Sequence, residues 1–135
     1  MPPLDVAPAL LQSARVLLTL SAVLGGLGVV AGAFGAHGLE NTVTPERLAA
    51  FKTGVLYHLL HTLALLVMGV LLLNGLDVRL AGWLFVGGIV VFSGSLYVLV
   101  LTDTPIMGAV TPIGGVAFIM GWAVLAWRAW TTVTV

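Results

Sequence analysis

The sequence predicts an all-α protein, an integral membrane four-helix bundle with a single domain over residues 1–135. Of the 135 residues, 60% are hydrophobic and only 7% are charged, whereas soluble domains carry about 25% charged residues. A membrane-spanning helix needs about 20 mostly apolar residues. Four stretches of the chain meet this requirement, at about residues 15–36, 51–73, 80–101 and 112–130.

The first stretch is expected to be a retained transmembrane helix. It follows Met1-Pro2-Pro3-Leu4-Asp5, which lacks the basic region of a cleaved signal peptide. Within it, Gly28 and Gly32 form a GxxxG pair, a spacing that lets helix backbones approach closely in lipid. We interpret these glycines as packing residues.

Turn and cap residues mark the ends of the other three helices. Thr44-Pro45 has the form of an N-cap followed by proline, so the second helix is expected to begin before its membrane-embedded part. Asn74-Gly75 ends that helix, and Asp77 is placed to cap the third. Thr102-Asp103-Thr104-Pro105 ends the third helix, and Thr111-Pro112 repeats the cap-and-proline pattern for the fourth. Residues 105–111 are apolar without a helical pattern, and we expect them either to lie in the membrane interface or to dip into it where protein covers the backbone.

Four spans place both chain ends on one side of the membrane and the loops around residues 37–50 and 102–111 on the other. Three tryptophans at the terminal side predict an aromatic belt at the membrane interface, namely Trp83, Trp127 and Trp130. We interpret this half of the bundle as helix packing. Basic residues at the terminal side outnumber those at the loop side by three to two, with Arg15, Arg79 and Arg128 against Arg47 and Lys52. The positive-inside rule therefore predicts cytoplasmic termini in the inner (plasma) membrane.

Polar residues of the spans gather in the loop-facing half. His61 is ten residues beyond Phe51, which at 1.5 Å per residue places it about 15 Å deep. An ionisable group at that depth is expected to face the bundle interior and to have a partner. The sequence therefore predicts a polar pocket opposite the termini, formed by His37, Tyr57, His58, His61, Ser93, Ser95, Tyr97 and Thr111, with Glu40, Lys52 and Asp103 at its rim.

Three chemical roles of this pocket remain open. His37, His58 and His61 are candidate ligands for zinc or copper. The N-termini of the second and fourth helices, with Lys52, are a candidate site for an anion or a lipid headgroup. A proton-linked carrier would need histidine as its proton-binding group, because the spans hold no acidic residue. Against all three stands a structural interpretation, in which the histidines hydrogen-bond to neighbouring helices and the threonines cap their own.

Composition and motifs exclude several other classes. The chain has no cysteine, which excludes disulfides, thiolate metal sites and cysteine nucleophiles. Its net charge of zero provides no field for nucleic acid, and neither G-x-S-x-G nor His-Glu-x-x-His occurs. We therefore expect a non-enzymatic protein that acts through helix packing and ligand or partner binding at the pocket, alone or in a homo-oligomer or larger membrane complex. The alternatives are a histidine-based metal- or redox-cofactor-binding membrane enzyme and a small proton-linked carrier; no cofactor is assigned.

Four motifs in order resemble one family. They are Gly32-Ala33-Phe34-Gly35-Ala36-His37-Gly38-Leu39, Thr53-Gly54-Val55-Leu56-Tyr57-His58-Leu59-Leu60-His61-Thr62-Leu63-Ala64, Phe92-Ser93-Gly94-Ser95-Leu96-Tyr97, and Thr111-Pro112-Ile113-Gly114-Gly115 followed by Gly121-Trp122. From about Leu18 to Trp130 the chain resembles the YgdD-like small bacterial membrane proteins, grouped as domain of unknown function 423 and related to a small eukaryotic transmembrane protein. The resemblance implies a four-helix inner-membrane protein and supplies no activity.

The resemblance also ranks the candidate site residues. It places most of them at motif positions, namely His37, Tyr57, His61, Ser93, Ser95, Tyr97, Thr111 and Pro112. His58 stands where some relatives carry glutamine. Glutamine is a poor substitute for imidazole as a metal ligand, so the resemblance argues against a three-histidine metal site and leaves a hydrogen-bonded polar pocket intact.

Overall fold

The computed structural model describes residues 6–132, in which the chain forms four long helices. They are α1 (Pro8–His37), α2 (Pro45–Leu73), α3 (Arg79–Thr102) and α4 (Met107–Thr132), each long and apolar enough to cross a membrane. No strand occurs within the described residues. The prediction of an all-α, four-helix membrane fold is confirmed. The ends of the predicted domain, Met1–Asp5 and residues 133–135, lie outside the described part of the chain.

The helices pack in the order in which they occur in the chain. α2 lies between α1 and α3, and α4 packs against α3. The main apolar core lies toward the terminal side and is built around fully buried side chains of the first three helices, including Leu17, Leu65 and Phe85. A smaller cluster of Leu39, Phe51 and Val100 closes the loop side. Because α1 contacts mainly α2, most of the α1 surface is exposed to lipid.

The predicted caps of α2 and the stop of α3 are confirmed. Thr44 precedes α2, and its hydroxyl accepts a hydrogen bond from the amide of Arg47 at 3.4 Å. After α2 ends at Leu73, Gly75 adopts a φ of 84°, a left-handed conformation that glycine adopts without steric cost. Asp103 ends α3 with a φ of 53°. Asp77 lies one residue before the N-cap of α3, yet its carboxylate still accepts the amide hydrogen of Arg79 at 3.3 Å.

The predicted start of the fourth helix at Thr111-Pro112 is wrong. α4 begins at Met107, and Pro112 lies inside it. Two of the chain's three Thr-Pro pairs lie seven residues apart, and the first of these, Thr104-Pro105, forms the turn that leads into the helix, with the Thr104 carbonyl accepting a hydrogen bond from the Met107 amide at 3.1 Å. Residues 107–111 are therefore helical. Membrane helices tolerate an internal proline where neighbouring helices and hydroxyl side chains satisfy the backbone.

A π-helical turn at Ile89–Ser93 interrupts the α-helical hydrogen bonding of α3. The turn brings Phe92 against α4 so closely that a Cβ atom added to Gly114 would lie 2.7 Å from the Phe92 Cα and Cβ atoms. Only glycine permits this approach of the two backbones. π turns occur frequently at functional sites, and this one adjoins the polar residues described next.

Candidate functional site

Five of the eight predicted pocket residues take part in three separate pairs that each bridge two helices, rather than in one common pocket. One pair joins α2 to α3, one joins α2 to α4, and one joins α3 to α4. In that order the pairs are His58 with Tyr97, His61 with Trp122, and Ser95 with Thr111.

His61 is buried near the middle of α2 and uses both ring nitrogens. Its Nδ1–H donates to the Tyr57 carbonyl at 2.9 Å, and its Nε2 accepts from the Trp122 indole N–H at 3.2 Å. An indole N–H only donates and a carbonyl only accepts, so the imidazole is neutral with its proton on Nδ1. The ring also stacks on Phe118, with centroids 3.5 Å apart and an 11° angle between planes. His61 therefore has no lone pair or vacant site left for a metal ion or a transferred proton.

His58 has one satisfied nitrogen and one unsatisfied one. Its side chain is only 5% exposed, and Nδ1 shares a 3.1 Å hydrogen bond with the Tyr97 hydroxyl. Nε2 is buried and forms no hydrogen bond of normal geometry within residues 6–132. An unsatisfied buried polar group costs about 1–3 kcal/mol. The His58–Tyr97 pair thus keeps hydrogen-bonding capacity that the His61 pair has used.

A lipid-facing groove of about 350 Å³ lies beside this pair, between α1, α2 and α3. We call it the α1–α2–α3 groove; His58 and Tyr97 are the polar members of its lining, and its apolar walls include Leu27, Val30, Phe34, Phe51 and Leu101. Gly28 faces the His58 ring, where an added Cβ would lie 3.6 Å from the His58 Cδ2 atom. Phe51 packs on Tyr97, with ring centroids 4.9 Å apart, and fixes the orientation of the phenol.

The third pair lies next to the π turn. The hydroxyls of Ser95 and Thr111 share a 2.7 Å hydrogen bond. Ser93, at the end of the π turn, is fully buried, and its hydroxyl has no hydrogen-bond partner in the described chain. Tyr57 packs against Phe92, with ring centroids 4.6 Å apart, and its ring is partly exposed to lipid.

The predicted rim is only partly assembled. His37, Glu40 and Lys52 are exposed, and none of their side chains forms a hydrogen bond or ion pair within residues 6–132. Asp103 instead forms a 3.2 Å ion pair with Arg47, whose guanidinium also donates to the carbonyl of Val100. Arg47 therefore ties the start of α2 to the end of α3 at the loop side.

The three histidines do not come together as metal ligands. Across the described residues, no three His, Cys, Asp or Glu side chains lie close enough to share a metal ion. His37 is at the exposed end of α1, while His58 and His61 make contacts with different helices. The candidate ligand set of His37, His58 and His61 is therefore not assembled by this fold.

Sequence reasoning missed Arg47 and Trp122 as members of the site. Trp122 had a usable signal, because it lies in the middle of a span rather than at its end. An indole N–H within the bilayer requires an acceptor, and Nε2 of His61, near the middle of the neighbouring α2 helix, provides it. No sequence signal identified Arg47, because its partners depend on where α3 ends.

Comparison with known proteins identifies one family of membrane proteins. A family model described as protein of unknown function (DUF423) matches residues 31–115. The chain is 48% identical over 114 residues to the UPF0382 membrane protein YwdK of Bacillus subtilis, covering 82% of this chain and 93% of that protein. It is 44% identical over 112 residues to the UPF0382 membrane protein SAB0533 of Staphylococcus aureus, with 82% and 92% covered. No solved structure gives a significant match.

Proposed function

This chain belongs to the DUF423 family of small membrane proteins, and we propose that it is a non-enzymatic member that binds a lipid-like molecule within the bilayer. The ligand is an apolar molecule that carries a hydrogen-bonding oxygen. It occupies the α1–α2–α3 groove and bonds to the His58–Tyr97 pair. The observation that carries the proposal is this partly satisfied polar pair in the lining of an otherwise apolar groove.

The contrast between the two buried histidines supports a binding role for one of them. His61 has a partner on each nitrogen, which is what a residue that only joins helices requires. His58 retains a free nitrogen, and the Tyr97 hydroxyl uses one of its three hydrogen-bonding positions. Polar groups within a membrane are costly and mark functional sites by default. A ligand oxygen would bond to the Tyr97 hydroxyl, which lines the groove and keeps two hydrogen-bonding positions.

The dimensions and lining of the groove also fit a small ligand. Ligand sites typically measure about 300–1,000 Å³ and combine apolar walls with few polar groups. The groove, at about 350 Å³, lies at the lower end of that range. Within residues 6–132 no third side chain hydrogen-bonds to the His58–Tyr97 pair, so the pair lacks the orienting group that an activated nucleophile needs. This arrangement favours binding over catalysis.

The proposal is tested by filling the groove from its lipid-facing side. Val29 and Val30 are adjacent and equally exposed, at 65% and 66%, but only Val30 lines the groove. The protein in nanodiscs is photolabelled with a long-chain fatty alcohol that carries a diazirine, and labelled peptides are quantified. Val30→Trp is expected to reduce labelling of the groove peptides several-fold, while Val29→Trp leaves it unchanged. Equal labelling in the two variants would refute the proposal.

The role of the polar pair is tested with Tyr97→Phe. Loss of one hydrogen bond costs about 0.5–1.5 kcal/mol, a two- to tenfold change in affinity. Labelling by the alcohol probe should fall by this factor, whereas labelling by an alkyl diazirine without the hydroxyl should not. If both probes lose equally, the groove binds chains without using the polar pair.

We further propose that the termini face the cytoplasm across the inner membrane. This orientation is supported by Arg15, Arg79 and Arg128 at the terminal side. Because the chain has no cysteine, single cysteines report it directly. With the protein expressed in a bacterial inner membrane and the outer membrane made permeable, a membrane-impermeant maleimide should label Asn41→Cys in whole cells and Thr132→Cys only after lysis. The reverse pattern would overturn the orientation.

A further inference from the structure

A second polar cluster lies at the terminal side, in the half of the bundle that the sequence indicated was only packing. Asp77 precedes α3, and the Arg79 guanidinium binds its carboxylate through two hydrogen bonds, from Nε at 2.9 Å and from Nη2 at 2.8 Å. Arg128, near the end of α4, donates from Nε to the Asp77 backbone carbonyl at 2.8 Å. Two separate parts of the chain therefore hold two guanidinium groups on one acidic residue.

These residues surround an open cavity of about 360 Å³, which we call the Arg79–Arg128 cavity. Its remaining walls are Leu80 and Val124, so it has a charged part and an apolar part. Each guanidinium has five N–H donors. Asp77 accepts hydrogen bonds from two N–H groups of Arg79 and from one of Arg128. Three N–H groups of Arg79 and four of Arg128 therefore remain free. The two cations and one anion carry a net charge of +1.

The position of the cavity along the membrane normal matches the headgroup region. Trp83 and Trp127 belong to the same ends of α3 and α4 and are 51% and 68% exposed, as expected for an aromatic belt at the interface. α3 begins at Arg79, so the positive end of its backbone dipole opens on the same side. Basic pockets between transmembrane helices commonly hold lipid headgroups.

We propose that the Arg79–Arg128 cavity binds the phosphate of an anionic phospholipid. A phosphodiester carries one negative charge, which balances the net charge of the cluster, and its oxygens accept the free guanidinium N–H groups. The acyl chains lie along Leu80 and Val124. A zwitterionic headgroup fits less well, because its ammonium group would find only Asp77, whose carboxylate is already paired with Arg79. This site is independent of the α1–α2–α3 groove, which lies toward the other side of the membrane.

The test is native mass spectrometry of the detergent-solubilised protein titrated with phosphatidylglycerol, with phosphatidylcholine of the same chains, and with inorganic phosphate alone. Wild type is expected to bind phosphatidylglycerol about tenfold or more tightly than Arg128→Gln, as for loss of hydrogen bonds to a charged group. Arg15→Gln is the matched control, because it removes the same charge from an exposed arginine of α1 at the same side. It should keep wild-type affinity.

Asp77→Asn is a second variant, chosen because misfolding cannot produce its expected result. Removing the carboxylate raises the net charge of the cluster and releases Arg79, so phosphatidylglycerol should bind several-fold more tightly, a gain that unfolding cannot produce. Equal losses in Arg128→Gln and Arg15→Gln, equal affinity for the two lipids, or weaker binding by Asp77→Asn would overturn the proposal. Binding of inorganic phosphate without any lipid adduct would assign the site to a free anion and would overturn the lipid assignment.

Discussion

Gly114→Ala tests the closest approach between two helices of this fold. A Cβ at this position would lie 2.7 Å from the Phe92 Cα and Cβ atoms and closer still to the Phe92 amide nitrogen. These are mostly backbone atoms of the π turn, which cannot rotate away as a side chain would. Overpacking of this kind costs about 1–3 kcal/mol, whereas replacing glycine by alanine in a helix contributes about 1 kcal/mol of stability. The two effects partly cancel in a single variant.

Comparison with Gly115→Ala separates the steric clash at Phe92 from the gain in helix propensity. At Gly115 an added Cβ would lie 3.8 Å from the nearest Phe92 atom, which is ordinary van der Waals contact. Both variants share the gain in helix propensity, so their difference reports the clash alone. We expect Gly114→Ala to be roughly 1–3 kcal/mol less stable than Gly115→Ala, measured by tryptophan fluorescence during unfolding in mixed micelles of sodium dodecyl sulfate and a mild detergent. If the two variants unfold together, the backbones of α3 and α4 are not in contact at the π turn.

Two further predictions follow from the polar contacts. Trp122→Phe keeps an aromatic ring beside His61 but removes the donor to its Nε2, and it should destabilise the protein by about 1–3 kcal/mol in the same unfolding assay; the exposed Trp83→Phe should stay within about 0.5 kcal/mol of wild type. The hydrogen bonds from the Arg79 guanidinium hold the pKa of the Asp77 carboxyl below its usual range. Because the folded pKa is depressed, the stabilisation is complete above the unfolded pKa of about 3.9 and is lost as pH falls through the folded pKa. Asp77→Asn should therefore flatten the dependence of the free energy of unfolding on pH between about pH 5 and pH 2. The change should be no more than about 1 kcal/mol, because the Asp77–Arg79 pair is partly exposed. An unchanged pH dependence would contradict a stabilising role for this pair.

The number of helices and most of their ends could be predicted because both depend on local sequence. Apolar length decides which segments cross the bilayer, and Thr44, Gly75 and Asp103 act on the backbone within a few residues of themselves. The start of α4 could not be predicted in this way. Two Thr-Pro pairs are locally equivalent, and the one used is decided by how far the turn after Asp103 carries the chain before it meets α3.

The partners of the polar residues depend on helix rotation, which hydropathy does not report. His58 and His61 are three residues apart, so their side chains leave α2 at directions about 60° apart. That angle sends His58 toward Tyr97 of α3 and the backbone of α1, and sends His61 toward Trp122 of α4. A histidine pair at this spacing is compatible with one shared site, and only the order of the neighbouring helices divides it into two.

The same geometry distinguishes His58, which lines the proposed ligand groove, from the deeper His61. α4 supplies His61 with an indole donor and a stacked phenyl ring, which leaves the imidazole complete without any ligand. α1 presents glycine to His58 at Gly28, and a residue without a side chain supplies no hydrogen-bond partner. The close approach of α1 and α2 therefore creates the unsatisfied nitrogen beside the α1–α2–α3 groove. A side chain at Gly28 would meet Leu59 of α2, 2.5 Å from its Cβ, and would therefore alter the packing of α1 on α2 along the walls of the groove.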